Sequence, residues 1–89
     1  MNTIQKFVSR IKDAEKNRGA YFPDYRNLIV RISIAENYYG CFEPQSVRDR
    51  DLVSTLEVHG FVEVHNFETT TAVKLSSQGK LLQQVLQKD

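Results

Sequence analysis

The chain has 89 residues, of which 40% are hydrophobic and 26% are charged, and its formal net charge is +1. These values are typical of one small globular domain with a single modest core. No apolar stretch approaches the roughly 20 residues that a membrane span requires, so we expect no membrane partner. The lone cysteine, Cys41, excludes an internal disulfide and fits a reducing, cytoplasmic environment. We expect Cys41 to be a small packed residue, and a disulfide between two chains is the alternative.

Charge is distributed unevenly along the chain. Residues 1–31 carry seven basic and three acidic side chains, a balance of +4, whereas residues 32–71 carry two basic and seven acidic side chains, a balance of −5. Residues 72–89 have a balance of +2. A protein that binds nucleic acid usually places positive charge where it meets the phosphates. The charge pattern therefore supports such a partner only in part.

The first segment has the periodicity of an amphipathic helix. Over residues 3–17, apolar side chains recur at helical spacing; they are Ile4, Phe7, Val8 and Ile11. The opposite face carries basic side chains at Lys6, Arg10, Lys12 and Lys16. This basic face is either a solvated surface or a surface that contacts phosphates or a partner, and the sequence leaves both interpretations open.

A second helix is predicted over residues 24–39. Asp24 after Pro23 is a suitable helix start, and Gly40 follows the last periodic residue. The segment is apolar over a wide arc, which predicts burial on most sides, within the domain or under a second subunit. Because β-branched residues are frequent in the segment, a strand within residues 28–34 is the alternative.

Aromatic residues are concentrated around this second helix. They are Tyr21, Phe22, Tyr25, Tyr38, Tyr39 and Phe42. We expect them to pack in or near the core, because a small domain has few other residues to bury. A small-molecule pocket or a dimer face built from these rings is the alternative.

A third helix is predicted over residues 46–59. Ser46 followed by Asp49 is an S-x-x-D cap, and Gly60 is typical of a helix C-terminus. At 100° per residue, the buried stripe consists of Leu52, Val53 and Leu56. The opposite arc consists of Val47, Arg50, Asp51, Ser54 and Glu57. Arg50 is the long cationic donor on this outward arc.

Residues 61–75 change to the period of two that is typical of a β-hairpin. Val62 and Val64 should face inward opposite Val73 and Leu75, and Lys74 should face outward across from Glu63 or His65. A polar tip, residues 66–70, joins the strands. A last helix should begin near Ser77, capped by Ser76 or Ser77, with an apolar stripe of Leu81, Leu82, Val85 and Leu86.

Two stretches of this sequence resemble a known superfamily. LEVHGFVEV, from Leu56 to Val64, is similar to the L-E-x-x-G-hydrophobic-V step between recognition helix and wing in MarR- and PadR-type regulators. VKLSSQGKLLQQVL, from Val73 to Leu86, is similar to their x-L-T-x-x-G-x-x-L-L exit from the wing. The chain thus resembles the winged-helix DNA-binding superfamily over somewhat less than half of its length. The expected fold is mainly α with a small β-hairpin (α+β), a winged helix-turn-helix of order α-α-α-β-β-α in one domain, residues 1–89. The second predicted helix is longer than is usual in the superfamily.

The resemblance implies a transcriptional regulator that binds double-stranded DNA. The helix over residues 46–59 would enter the major groove, and the hairpin would lie along the adjacent backbone. The predicted DNA-binding residues are Gln45, Ser46, Arg48, Arg50, Ser54, Asn66, Thr69 and Lys74. Arg50 can bridge O6 and N7 of guanine, although Arg48 and Arg50 could instead pair with neighbouring carboxylates. The alternative function is a protein–protein interaction module that uses its acidic helix and wing face and binds no DNA.

The apolar stripes of the first and last helices predict a homodimer. Residues 4–11 and 81–86 together offer more apolar surface than one small core needs, so these helices could pack against their symmetry mates.

His59, His65 and Cys41 do not have the spacing of metal ligands, and we expect no metal or other cofactor. No catalytic motif is recognisable, and the chain is predicted not to be an enzyme.

Overall fold

The computed structural model describes residues 3–18 and 21–88, without the side chains of residues 11, 14–15, 17–18, 21–24 and 88. Helices and a two-stranded antiparallel hairpin follow in the predicted order α-α-α-β-β-α. The elements are α1 (Thr3–Arg18), α2 (Tyr21–Tyr39), α3 (Val47–Val58), β1 (Val62–Asn66), β2 (Thr71–Leu75) and α4 (Ser77–Lys88). The fold is therefore mainly α with a small hairpin, as predicted. No helix in the described part of the chain is long and apolar enough to cross a membrane.

Helix α2 begins at Tyr21, three residues before the predicted start at Asp24. The predicted start was wrong because Pro23 was placed before the helix, whereas it lies in the first turn. The first N–H groups of a helix have no partner within the helix, so a proline there removes no hydrogen bond. The helix is continuous through residues 28–34, which rules out the alternative strand.

The turn after α3 is a Schellman motif built on Gly60. Gly60 has a φ of +79°, a conformation that glycine adopts without a steric penalty. Its N–H donates to the Glu57 carbonyl at 2.9 Å, and the Phe61 N–H donates to the Leu56 carbonyl at 2.9 Å. Leu56 and Phe61 are both fully buried, so the turn passes the chain directly from α3 into the core and on to β1.

The hairpin has the predicted register. Val62 lies opposite Leu75 and Val64 lies opposite Val73. Val62, Val73 and Leu75 are buried and Val64 is half-buried, which confirms the inward face. Lys74 pairs across the strands with Glu63, one of the two partners predicted for it.

The connector between α2 and α3 adds a short third segment to the hairpin. The Phe42 N–H donates to the Val73 carbonyl at 2.9 Å, and the Phe42 carbonyl accepts the Val73 N–H at 2.8 Å. The Glu36 carboxylate, near the end of α2, accepts the Leu75 N–H at 3.2 Å. The edge of β2 that faces away from β1 is therefore tied to α2 and to the connector, which the sequence did not predict.

Helix α4 packs closely against the turn after α3. Ser76, its predicted cap, accepts the Gly79 N–H at 3.1 Å and donates its hydroxyl to the Gly60 carbonyl at 2.6 Å. The Ser76 N–H donates to the Phe61 carbonyl at 3.0 Å. A Cβ atom at Gly79 would lie 1.9 Å from that same carbonyl oxygen. Gly79 therefore has a structural role, since a residue with a Cβ atom does not fit against this turn without displacing it.

One core collects apolar side chains from every element. The buried members are Ile4, Phe7, Val8, Tyr25, Leu28, Ile29, Ile32, Phe42, Val53, Leu56, Phe61, Val62, Val73, Leu75, Leu82 and Leu86. Ile4, Phe7 and Val8 of the α1 stripe and Leu82 and Leu86 of the α4 stripe are thus buried within the chain, whereas Ile11 lies outside the described side chains. Leu81 is the member of the α4 stripe that is exposed. The homodimer itself stays a prediction.

The aromatic residues divide between core and surface. Tyr25 and Phe42 are buried, as expected, but Tyr38 and Tyr39 at the end of α2 are largely exposed, and core packing was a wrong expectation for these two. Ile34, one turn before Tyr38, is also exposed. Tyr21 and Phe22 lie outside the described side chains. Cys41 is half-buried beside the exposed end of α2, next to an open groove of about 420 Å³.

Candidate nucleic-acid interface

The start of α3 is held by the predicted cap. Ser46 has an extended backbone, and its hydroxyl accepts the Asp49 N–H at 3.0 Å. The Asp49 carboxylate in turn accepts the Gln45 N–H at 3.4 Å. This arrangement is similar to a capping box. In a capping box the third helical residue would accept the N–H of the cap residue, Ser46, whereas here Asp49 accepts the N–H of Gln45. The cap fixes where α3 begins and therefore which side chains its first turn presents.

Asp49 also joins α3 to α2. Arg31 on α2 donates to both carboxylate oxygens of Asp49, at 3.1 and 2.8 Å. Asp49 is 7% exposed, and the Arg31 guanidinium lies over the Phe42 ring, 5.4 Å from its centroid. These hydrogen bonds hold the pKa of Asp49 below its usual value and raise the pKa of Arg31. The sequence predicted Asp49 as part of the S-x-x-D cap but did not predict Arg31 as its partner.

The outward arc of α3 is exposed along its length. Arg50, Asp51, Ser54 and Glu57 are all exposed, as the helical spacing predicts, and Val47 in the first turn is 72% exposed. Arg50 lies where this arc meets the hairpin. Within residues 3–18 and 21–88, no hydrogen bond or ion pair engages its guanidinium group. The alternative in which Arg50 pairs with a neighbouring carboxylate is therefore not found in the described structure.

Two adjacent grooves separate α3 from the hairpin, and Arg50 lines both. The first, of about 240 Å³, also contains Ser54 and Glu57 from α3 and Asn66 from β1. The second, of about 400 Å³, extends to the hairpin tip, where Phe67, Glu68 and the threonines line it. An open, largely polar surface thus runs from the first turns of α3 to the tip.

The predicted DNA-binding residues do not all meet on this surface. Gln45, Arg50 and Thr69 line the tip groove, and Ser54 and Asn66 line the groove beside it. Lys74 lines neither, because it lies in β2 opposite Glu63 on the outer face of the hairpin.

Four of the predicted DNA-binding side chains already have partners. The Ser46 hydroxyl serves the helix cap, and the Gln45 amide donates to the Glu43 carbonyl at 3.1 Å. The Asn66 side-chain oxygen accepts the Thr71 hydroxyl at 3.1 Å. Arg48 is exposed in the first turn of α3 and also has an interaction within the chain. Arg50 is thus the cation that combines exposure, a place in both grooves and an unengaged side chain.

The charge around the grooves is mixed. The charged residues that line the two grooves are the exposed carboxylates of Glu43, Glu57 and Glu68 and the exposed guanidinium of Arg50. Asp49 does not add to the acidic surface, since it is buried and paired with Arg31. The acidic balance read from the sequence is therefore reduced at this surface but not reversed.

The protein is thus a mainly helical domain with one hairpin, a capped third helix and two open grooves between that helix and the hairpin. Comparison of the chain with models of known protein families, with curated proteins and with solved structures gave no match.

Proposed function

We propose that the chain is a winged-helix protein that binds double-stranded DNA and regulates transcription. Helix α3 would enter the major groove, and the β1–β2 hairpin would lie along the adjacent backbone. The single observation that carries the proposal is Arg50, an exposed and unengaged arginine in the groove between α3 and the hairpin. A planar guanidinium with free donors is the group that reads guanine O6 and N7 through two parallel hydrogen bonds.

The polar residues around Arg50 suit this role. Ser54, one turn further along α3, can bond a base edge, and Thr69 at the hairpin tip can bond phosphate oxygens. The acidic neighbours are compatible with base recognition in one respect, since a carboxylate such as Asp51 can accept a hydrogen bond from the amino group of cytosine. Few cations remain to contact phosphates, so we expect modest affinity for DNA. The logarithm of the binding constant should fall only slowly with the logarithm of salt concentration, with a slope of about −0.9 per phosphate contact.

The test is enrichment of a preferred duplex from a random library, followed by titration with the Arg50→Ala variant. We expect that variant to bind the enriched duplex about tenfold more weakly or worse, because a bidentate arginine contact is worth about 1–3 kcal/mol. Preference at the contacted base should relax, and thermal stability should change little because the side chain is exposed.

Arg10→Ala is the matched control for Arg50→Ala. It removes the same type of side chain from the exposed face of α1. It should leave the base preference intact, and if Arg10 contacts a phosphate it should weaken all duplexes alike and reduce the salt slope by about one. Equal loss of base preference in both variants would contradict the role of Arg50.

A second candidate function is supported by the hairpin tip. Phe67 is 65% exposed there, and Glu43 and Glu68 line the same groove. An exposed aromatic ring beside carboxylates suits a basic protein segment better than a phosphate backbone. If enrichment yields no preferred duplex and random DNA does not bind even at low salt, DNA binding is excluded and the interaction module becomes the proposal.

A further inference from the structure

Val47 is an apolar side chain that lies outside the core of the described chain. It is the first residue of α3 and is 72% exposed. Valine is not a favoured helix former, so its place in an exposed first turn does not stabilise α3 through propensity. On the outward arc it precedes three polar residues, Arg50, Asp51 and Ser54. The side chain is therefore available to a ligand that offers a small apolar group beside polar ones.

We propose that Val47 packs against the C5-methyl group of a thymine next to the guanine that Arg50 reads. This inference rests on the proposed function, since it requires α3 to lie in the major groove. The thymine methyl is the apolar group that base edges display in that groove, whereas the other groups are hydrogen-bond donors and acceptors. A valine in contact with base edges therefore selects thymine.

The spacing of the two residues on α3 agrees with neighbouring base pairs. Val47 and Arg50 are three residues apart, which is about 4.5 Å along a helix axis and places both on one face. Successive base pairs are about 3.4 Å apart. The N-terminal residues of a recognition helix are the ones that contact base edges, and Val47 and Arg50 both lie in the first turn. When Arg50 contacts a guanine, Val47 would therefore lie beside an adjacent base pair.

The experiment replaces thymine by uracil in the enriched duplex, one position at a time. Uracil keeps every hydrogen bond of the base pair and lacks only the methyl group. At one thymine beside the preferred guanine, we expect the unaltered protein to bind roughly fourfold more weakly, the factor to which about 0.8 kcal/mol for one buried methyl group converts. Uracil at the remaining thymines should change binding little.

Two variants assign this effect to Val47. Val47→Ala should bind the thymine and uracil duplexes almost equally, because the side chain that senses the methyl group is gone. Val58→Ala is the matched control: Val58 is 83% exposed on the same helix but eleven residues away, about 16 Å along the axis. It should keep the fourfold discrimination of the unaltered protein.

The outcomes separate this inference from the proposed function. If a duplex is enriched and bound but uracil has no effect at any position, the methyl contact is wrong and DNA binding stands. If Val47→Ala keeps the full discrimination, the methyl group acts through duplex shape, and the role of Val47 is likewise wrong. Absence of any bound duplex at low salt would overturn both proposals together.

Discussion

Asp49 is the residue on which the placement of α3 depends most directly. Its carboxylate is buried, accepts two hydrogen bonds from Arg31 and one from the Gln45 N–H, and has a lowered pKa, chiefly because of the Arg31 hydrogen bonds. We expect Asp49→Asn to lower the free energy of unfolding at pH 7 by about 1–2 kcal/mol. This is below the full value of a charged bidentate pair because the Arg31 side chain is 49% exposed and screened by solvent. Urea unfolding followed by circular dichroism measures the difference.

The same pair gives stability a defined dependence on pH. Because the pKa of Asp49 is lower in the folded than in the unfolded chain, its contribution is present above about pH 4 and is lost as the pH falls through the folded value. The difference between Asp49→Asn and the unaltered chain should therefore shrink at acid pH. Asp51→Asn, an identical change at an exposed position, should behave like the unaltered chain throughout. A difference that stayed constant from pH 7 to pH 2.5 would rule out the ion pair as its cause.

The partner of Asp49 could not be predicted from the sequence. The S-x-x-D pattern identifies the cap because Ser46 and Asp49 are three residues apart and meet within one turn of helix. Arg31 is 18 residues away, and its contact depends on how α2 crosses α3. The outward position of Arg50, in contrast, followed from local helical spacing.

At the scale of the elements, the packing of α4 depends on Gly79, whose backbone does not have the positive φ that would require a glycine. Gly79 lies within a regular helix, where alanine would normally be the better residue by about 1 kcal/mol. We expect Gly79→Ala to destabilise the fold instead, by about 2–3 kcal/mol, because the added Cβ would overlap the Phe61 carbonyl and force α4 off the turn after α3. Thermal unfolding should show a fall of roughly 10–20 °C in a domain of this size.

Gln78→Ala is the control for the change at Gly79. Gln78 precedes Gly79 in the first turn of α4 and is exposed, so the same alanine there should be neutral or slightly stabilising. A Gly79→Ala chain as stable as the Gln78→Ala chain would mean that α4 can withdraw from the Phe61 carbonyl at little cost.

Most elements could be predicted because their signals are local. Gly60 and the alternation after it fix the end of α3 and the register of the hairpin, and Ser76 fixes the start of α4. The start of α2 was misplaced because Pro23 is compatible both with a position before a helix and with its first turn. The bridge between Phe42 and Val73 had no signal, because a single paired residue has no periodicity to detect.

At the scale of the whole molecule, we expect a homodimer, as the sequence and its resemblance suggest. Since Ile4, Phe7 and Val8 of α1 and Leu82 and Leu86 of α4 are buried in the core, a contact between these helices would use their exposed apolar surface, for which Leu81 is the described candidate. Sedimentation at micromolar concentration should report about twice the mass of the chain. A chain that sediments as a monomer would remove the dimer and weaken the case for palindromic recognition.

Two matched substitutions would locate the contact. Leu81→Lys places a charge on the exposed side of α4, and Tyr38→Lys places one on the exposed end of α2. A dimer through α1 and α4 should dissociate in the first variant and persist in the second. The reverse result would assign the interface to the end of α2 and contradict the predicted geometry.

The bridge between Phe42 and Val73 has a consequence for how the chain opens. Its two backbone hydrogen bonds close a loop of chain that contains all of α3 and β1, so the intact bridge limits how far either element can move away from β2. Partial unfolding should therefore release α3 and the hairpin as one cooperative unit, while α1 and α2 can remain paired. In native-state hydrogen exchange, the amides of Phe42 and Val73 should exchange with the same opening free energy as those in the centre of α3.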